Sequence, residues 1–240
     1  MMKNGLLIAA LLWCSQLFGQ GFGIGQWKDY LPYSNAKSVI VVDELIYVAA
    51  EQSLFTYDLQ NNELNRLNKI QGLSDFGIAD IAKIEETGMV IVAYTNGNID
   101  LIDGNQISNI TGIKDANIIG LKAINKIFVK EKTAYLCASF GIVELNTQKK
   151  EINNTFYLNS ARTLNVKDMT FKGETVIAST DSGIYTGNII NNLLDYNQWQ
   201  KTNISYETNS LVLHEDKVYF TTEADSIFQL VNDSMEVLVG

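Results

Sequence analysis

Few groups in this 240-residue chain could do chemistry. A single histidine, His214, stands beside Glu215 and Asp216. Acid–base or metal chemistry there would need further groups converging on the ring. A lone histidine between a strand and a polar turn reads instead as a surface residue. Asp75, Asp80, Asp100, Asp103 and Asp115 could supply the paired carboxylates of a glycosidase. Their places along the chain, however, are expected to be turns and solvated faces. No Cys or His cluster has zinc spacing, and no Asp-x-Asp-x-Asp-Gly run offers a calcium loop. The segment Gln20–Gly25 is glycine-rich, but it lacks both a preceding strand and the Gly-x-Gly-x-x-Gly spacing of a phosphate loop. Cys137 sits mid-strand between apolar neighbours, so it is expected to be a small buried hydrophobe and not a nucleophile. The sequence therefore assigns no catalytic, cofactor-binding or metal residue and no cofactor. It leaves the ligand-binding residues open, and the expectation is a protein that is not an enzyme.

The elements that would carry any site are repeated. Tyr135–Leu145 reads as a strand, a tight turn at Phe140-Gly141 and a returning strand. The same hairpin recurs at Tyr47–Tyr57, Ile91–Leu101, Ile177–Thr186 and Tyr219–Leu230. The turns at Ser53, Gly97, Gly141, Gly183 and Ser226 are 44, 44, 42 and 43 residues apart. A strand-rich period of that length is the signature of β-propeller blades. A first strand precedes each hairpin: Ser38–Val42, Ile78–Ile84, Ile124–Val129, Val166–Phe171 and Leu211–His214. A more polar fourth strand follows, as at Glu151–Tyr157 and Met235–Val239. Helical periodicity is absent over any long window, and Leu193-Leu194 reads as part of an asparagine-rich loop. The fold class is thus all-β, a propeller of four-stranded antiparallel blades with five repeats in residues 38–240.

Residues 1–19 read as a secretory signal peptide: Lys3, the apolar run Leu6–Leu12, and Gly19 ahead of the expected cleavage. Cys14 follows the bulky Trp13 and only loosely resembles a lipoprotein site. Residues 20–37 form a leader, in which Gln26–Tyr30 is a candidate strand for completing a blade. No other apolar run approaches the length of a membrane-spanning helix. Loss of Lys3 takes the 18 basic residues to 17 against 27 acidic ones, a net charge of −10. Such a chain repels phosphate backbones, so nucleic acid is excluded as a partner. Cys137 would then be the sole cysteine, leaving core burial and not a disulfide to hold the fold.

The string Gly72-Leu73-Ser74-Asp75-Phe76-Gly77-Ile78-Ala79-Asp80-Ile81 resembles the repeat start of periplasmic sensor propellers in hybrid two-component regulators. A broader match combines this string with Trp27–Tyr33, Gly97–Ile102 and Ala134–Asn146. Together they resemble the PorZ family, propeller-containing accessory components of the type IX secretion system of Bacteroidetes. The resemblance implies an exported protein in the periplasm or at the outer-membrane surface. Its partners would be attachment-complex proteins, including a cysteine sortase-like protein, with anionic lipopolysaccharide or a related glycan delivered for coupling to cargo. Family members carry two seven-bladed propellers and a C-terminal β-domain. Five repeats would accordingly form an incomplete seven-bladed ring, with apolar faces exposed near Ile46, Val48, Val218 and Phe220. The alternative function is the sensor propeller of a two-component regulator. Asp225-Ser226-Ile227 and Asp233-Ser234-Met235 also resemble short O-glycosylation sites of exported Bacteroidetes proteins.

Overall fold

The computed structural model describes residues 32–223 and 226–239. The signal peptide, the Gln20–Gly25 segment and the Gln26–Tyr30 strand lie outside the described residues, as does Asp225 of the first Asp-Ser site.

Short β-rich runs separated by polar turns fold into five antiparallel sheets of four strands each. Blade 1 comprises β1 (Ala36–Val42), β2 (Leu45–Ala50), β3 (Leu54–Asp58) and β4 (Glu63–Leu67). Blade 2 comprises β5 (Ile78–Lys83), β6 (Val90–Tyr94), β7 (Ile99–Asp103) and β8 (Gln106–Ile110). Blade 3 runs through β9 (Ile124–Lys130), β10 (Thr133–Ala138), β11 (Gly141–Asn146) and β12 (Glu151–Phe156). Blade 4 runs through β13 (Val166–Lys172), β14 (Thr175–Thr180), β15 (Gly183–Asn188) and β16 (Trp199–Lys201). Blade 5 comprises β17 (Thr208–His214), β18 (Lys217–Thr222), β19 (Ile227–Val231) and β20 (Ser234–Val239). The sequence-derived strands agree with these to within a few residues. A single helical turn, Gly112–Asp115, interrupts the connection from blade 2 to blade 3.

Each tight hairpin depends on its turn. Gly183 has φ +126° and Gly141 has φ +149°, and a Cβ on Gly183 would lie 1.9 Å from the Ile204 carbonyl oxygen. Only glycine fits that approach of the next connection. The second strands are the most deeply covered, with all five residues of β6 buried, because both of their faces meet a neighbouring blade. The outermost strands are solvated: β4 exposes four of its five residues and β20 all six.

Four apolar clusters fill the four junctions between successive blades. Tyr47, Ala49 and Leu54 meet Ile78, Val90, Val92 and Tyr94 between blades 1 and 2. Ile91, Ile99 and Leu101 meet Leu136, Phe140 and Val143 between blades 2 and 3. Cys137 and Ile142 meet Met169, Phe171 and Val176 at the third junction. Ile177 and Ile184 meet Val218, Phe220 and Phe228 at the fourth. At roughly 1.5–3 kcal/mol for each fully buried aliphatic or aromatic side chain, these junctions are the main source of cohesion.

The ring is not closed: among the described residues no cluster joins blade 5 to blade 1. The free faces differ from expectation at one end. On blade 1, Val39 and Val41 are exposed, with Ile46 and Val48 half-buried beside them. On blade 5, Val218 and Phe220 are buried against blade 4, and the outward residues are Val212, Ile227 and their register mates. Strand side chains alternate with period two, so a reading one residue out of phase places the whole set on the wrong face.

Candidate functional site

The candidate catalytic groups do not come together. His214 is exposed, and its Nε2 lies 3.9 Å from Glu215. Cys137 is 0 % exposed, and burial pushes its thiol well above the usual range. Among the described residues, no three His, Cys, Asp or Glu side chains are grouped as metal ligands would be. Asp103 and Asp115 are exposed, as expected, and Ser234 is exposed in the second Asp-Ser site.

Asp80 and Asp100 overturn their reading as solvated residues: both are buried. Asp100, on β7, accepts hydrogen bonds at Oδ2 from the Ser74 N–H (2.8 Å) and the Tyr94 hydroxyl (2.7 Å). Its Oδ1 accepts from Asn109 Nδ2 at 2.9 Å. This buried carboxylate pins the Gly72–Asp75 turn to blade 2. Beside it, Asp75 receives Lys114 Nζ at 2.7 Å and Asn96 Nδ2 at 2.6 Å. Burial opposes ionisation of Asp75, but these bonds and the Phe76 N–H outweigh it and hold the carboxyl at about 2.

Asp80 belongs to a repeated device. The inner strands of blades 1 to 4 each have a register irregularity, and a polar residue follows it at Ser38, Asp80, Lys126 and Asp168. These residues or their neighbours reach the backbone of the next blade. Ser38 Oγ donates to the Ile81 carbonyl (3.5 Å), and Asp80 Oδ2 accepts from the Ile127 N–H (3.0 Å). Asn125 Nδ2 donates to the Val166 carbonyl (2.6 Å), and Asp168 Oδ2 accepts from the Leu211 N–H (3.0 Å). Lys126 Nζ lies 3.4 Å from Asp80. Burial raises the Asp168 carboxyl, partly offset by the Leu211 and Met169 N–H groups. Buried Asp80 and half-buried Asp168 are thus clamps between blades. The irregularity that exposes a backbone group for each clamp is a sheet feature that composition alone does not reveal.

A cleft of about 310 Å³ lies between blades 3 and 4. Tyr135, Glu144 and Asn154 face it in one cross-strand row, set by the pairings Tyr135–Glu144 and Glu144–Asn154. Ile142 and Phe156 form the next row, and Phe171 and Val176 approach from blade 4. The asparagine-rich connection at 189–198 makes the remaining wall. It folds back because Trp199 Nε1 donates to the Leu193 carbonyl at 3.0 Å, while Leu193 packs over Gly187. A Cβ on Gly187 would meet Leu193 Cδ2 at 2.8 Å, so the side-chain-free strand makes room for the loop. Read from sequence, this segment is a loop and nothing more. Its long interruption between the third and fourth strands of blade 4, with Trp199 beyond it, was the available signal.

The model of the TSS9, PorZ, N-terminal beta-propeller domain matches residues 46–200, spanning blades 1 to 4. The chain belongs to this family. Among solved structures, it is similar to PorZ of Porphyromonas gingivalis, an essential bacterial surface component of the type IX secretion system, with a TM-score of 0.76 and 21% identity. The likeness covers 90% of this chain and 29% of that one. It is also similar to the extracellular domain of B. thetaiotaomicron BT3049, described as a hybrid two component system. There the TM-score is 0.65 and the identity 14%, over 89% of this chain and 30% of that one. The extracellular domain of B. thetaiotaomicron BT4673 matches with a TM-score of 0.63 at 17% identity, over 82% and 27% of the two chains. No curated protein matches the chain. The chain thus spans under a third of the length of these structural relatives, and at such identities they share its fold.

Proposed function

We propose that this protein is a non-catalytic binding and scaffold module of the type IX secretion system. In this reading it is exported to the periplasm or the outer-membrane surface. There it works with attachment-complex proteins and with anionic lipopolysaccharide or a related glycan in cargo maturation. The observation that carries the proposal is the family match over residues 46–200. The isolation of His214 at the surface and the sealing of Cys137 are consistent with a role in binding and not in turnover.

The test is deletion of the gene in its host, with complementation by the full chain, followed by fractionation of secreted cargo. The expected result is that cargo accumulates unattached in the periplasm until the gene is restored. Unchanged export and surface attachment would overturn the proposal. Should export be intact while transcription loses its response to a glycan, the sensor reading would replace it.

A further inference from the structure

We infer that the cleft between blades 3 and 4 is a binding site for a basic side chain, arginine or lysine, presented by an extended segment of a partner protein. Its lining is largely aromatic and apolar, with a charge at one end. Tyr135, Phe156, Phe171 and Trp199 supply ring surface, and Glu144 supplies the carboxylate. Glu144 is half-buried and has no cation within ion-pair distance among the described residues. Its oxygens accept only from neutral amides, Asn153 Nδ2 at 3.1 Å and Asn154 Nδ2 at 2.9 Å. Each oxygen therefore keeps a free acceptor direction, enough for the two parallel hydrogen bonds of a guanidinium. The local field is negative: after burial, Glu144 and Glu131 are what raise the Tyr135 hydroxyl. The Phe171 ring already carries Lys130 Nζ at 4.3 Å from its centroid, so Tyr135, Phe156 and Trp199 are the rings left to an incoming cation.

The size fits one side chain better than a large ligand, because about 310 Å³ lies at the lower end of small-molecule pockets. The shape fits an extended chain. The cleft lies on the flank between two blades, and exposed Ile190 and Leu194 on the bordering loop offer apolar contacts to flanking residues. A neutral sugar could use the asparagines and the rings but would leave the carboxylate without its counter-charge. This inference adds the partner's chemistry to the scaffold proposal, and its failure would leave the export test above unaffected.

The experiment is NMR titration of the exported chain with acetyl-Gly-Arg-Gly-amide, with acetyl-Gly-Gln-Gly-amide as the neutral probe. The expected result is saturable shifts at the Trp199 indole N–H and at Ile142, Glu144 and Asn154 for the arginine peptide alone. They should weaken with added salt, and by about tenfold in Glu144→Gln, whose near-isosteric side chain keeps the rest of the spectrum unchanged. Equal shifts with the glutamine peptide, shifts confined to other surfaces, or an unchanged affinity in Glu144→Gln would overturn the inference. So would the absence of shifts at about 10 mM, beyond the range of a single side-chain contact. Shifts at these residues with a neutral trisaccharide but not with the arginine peptide would assign the cleft to glycan instead.

Discussion

Replacing Asp100 by alanine should unsettle blade 2 far more than replacing Asp103, which lies on the same strand. Asp100 is 0 % exposed, whereas Asp103 is exposed at the strand's end. Asp100→Ala orphans the hydroxyl of fully buried Tyr94, which water cannot readily reach, and the N–H of half-buried Ser74. The third donor, Asn109 Nδ2, keeps partners at Asn98 Oδ1 (2.9 Å) and the Ile99 carbonyl (3.0 Å). Each orphaned buried group costs about 1–3 kcal/mol, so the loss should be roughly 3–4 kcal/mol. For a chain of this size that lowers the melting temperature by about 10 °C. Asp103→Ala should stay within about 0.5 kcal/mol of the parent. A double-mutant cycle with Tyr94→Phe isolates the cause. Removing the hydroxyl as well leaves one orphan fewer, so the double variant should be no less stable than Asp100→Ala alone. Thermal and urea unfolding followed by circular dichroism measure all five proteins, the parent and the four variants. Equal stability of Asp100→Ala and Asp103→Ala, or strict additivity in the cycle, would refute the burial argument.

Two further outcomes follow from local geometry. Gly183→Ala should cost about 3 kcal/mol or prevent folding, because its Cβ would meet a backbone oxygen at 1.9 Å as well as demanding φ +126°. Gly104→Ala, where nothing lies within 4 Å at φ +55°, should cost only about 1–2 kcal/mol in unfolding experiments on the two variants. Asp75 should make stability depend on acidity. Its folded value of about 2 lies below the ordinary aspartate value of 3.8, so the unfolded chain binds the proton first. The stabilisation is complete above about pH 5 and disappears as the pH falls through 2. After discounting for solvent at this partly exposed pair it is worth about 1 kcal/mol. Asp75→Asn should flatten that part of the stability–pH curve, and an unchanged slope between pH 2 and 5 would contradict the assignment.

Much of this architecture is legible in the chain itself. The turns at Ser53, Gly97, Gly141, Gly183 and Ser226 carry the repeat, because a hairpin needs its turn chemistry locally. The apolar Val90–Tyr94 run shows a strand covered on both sides, and Cys137 is read as buried from its immediate neighbours. These features depend on residues close in sequence. What the sequence leaves open depends on how segments pack once the strands are formed. Asp80 looks like a turn carboxylate until the next blade brings the Ile127 N–H to it, and Asp168 meets the Leu211 N–H in the same way. Val218 and Phe220 are placed on the inner or outer face by a single residue of register. The Leu193-Leu194 loop becomes the wall of a cleft only because Gly187 and Trp199 receive it. Local chemistry specifies the blade, whereas burial, charge and the cleft arise where one blade packs on another.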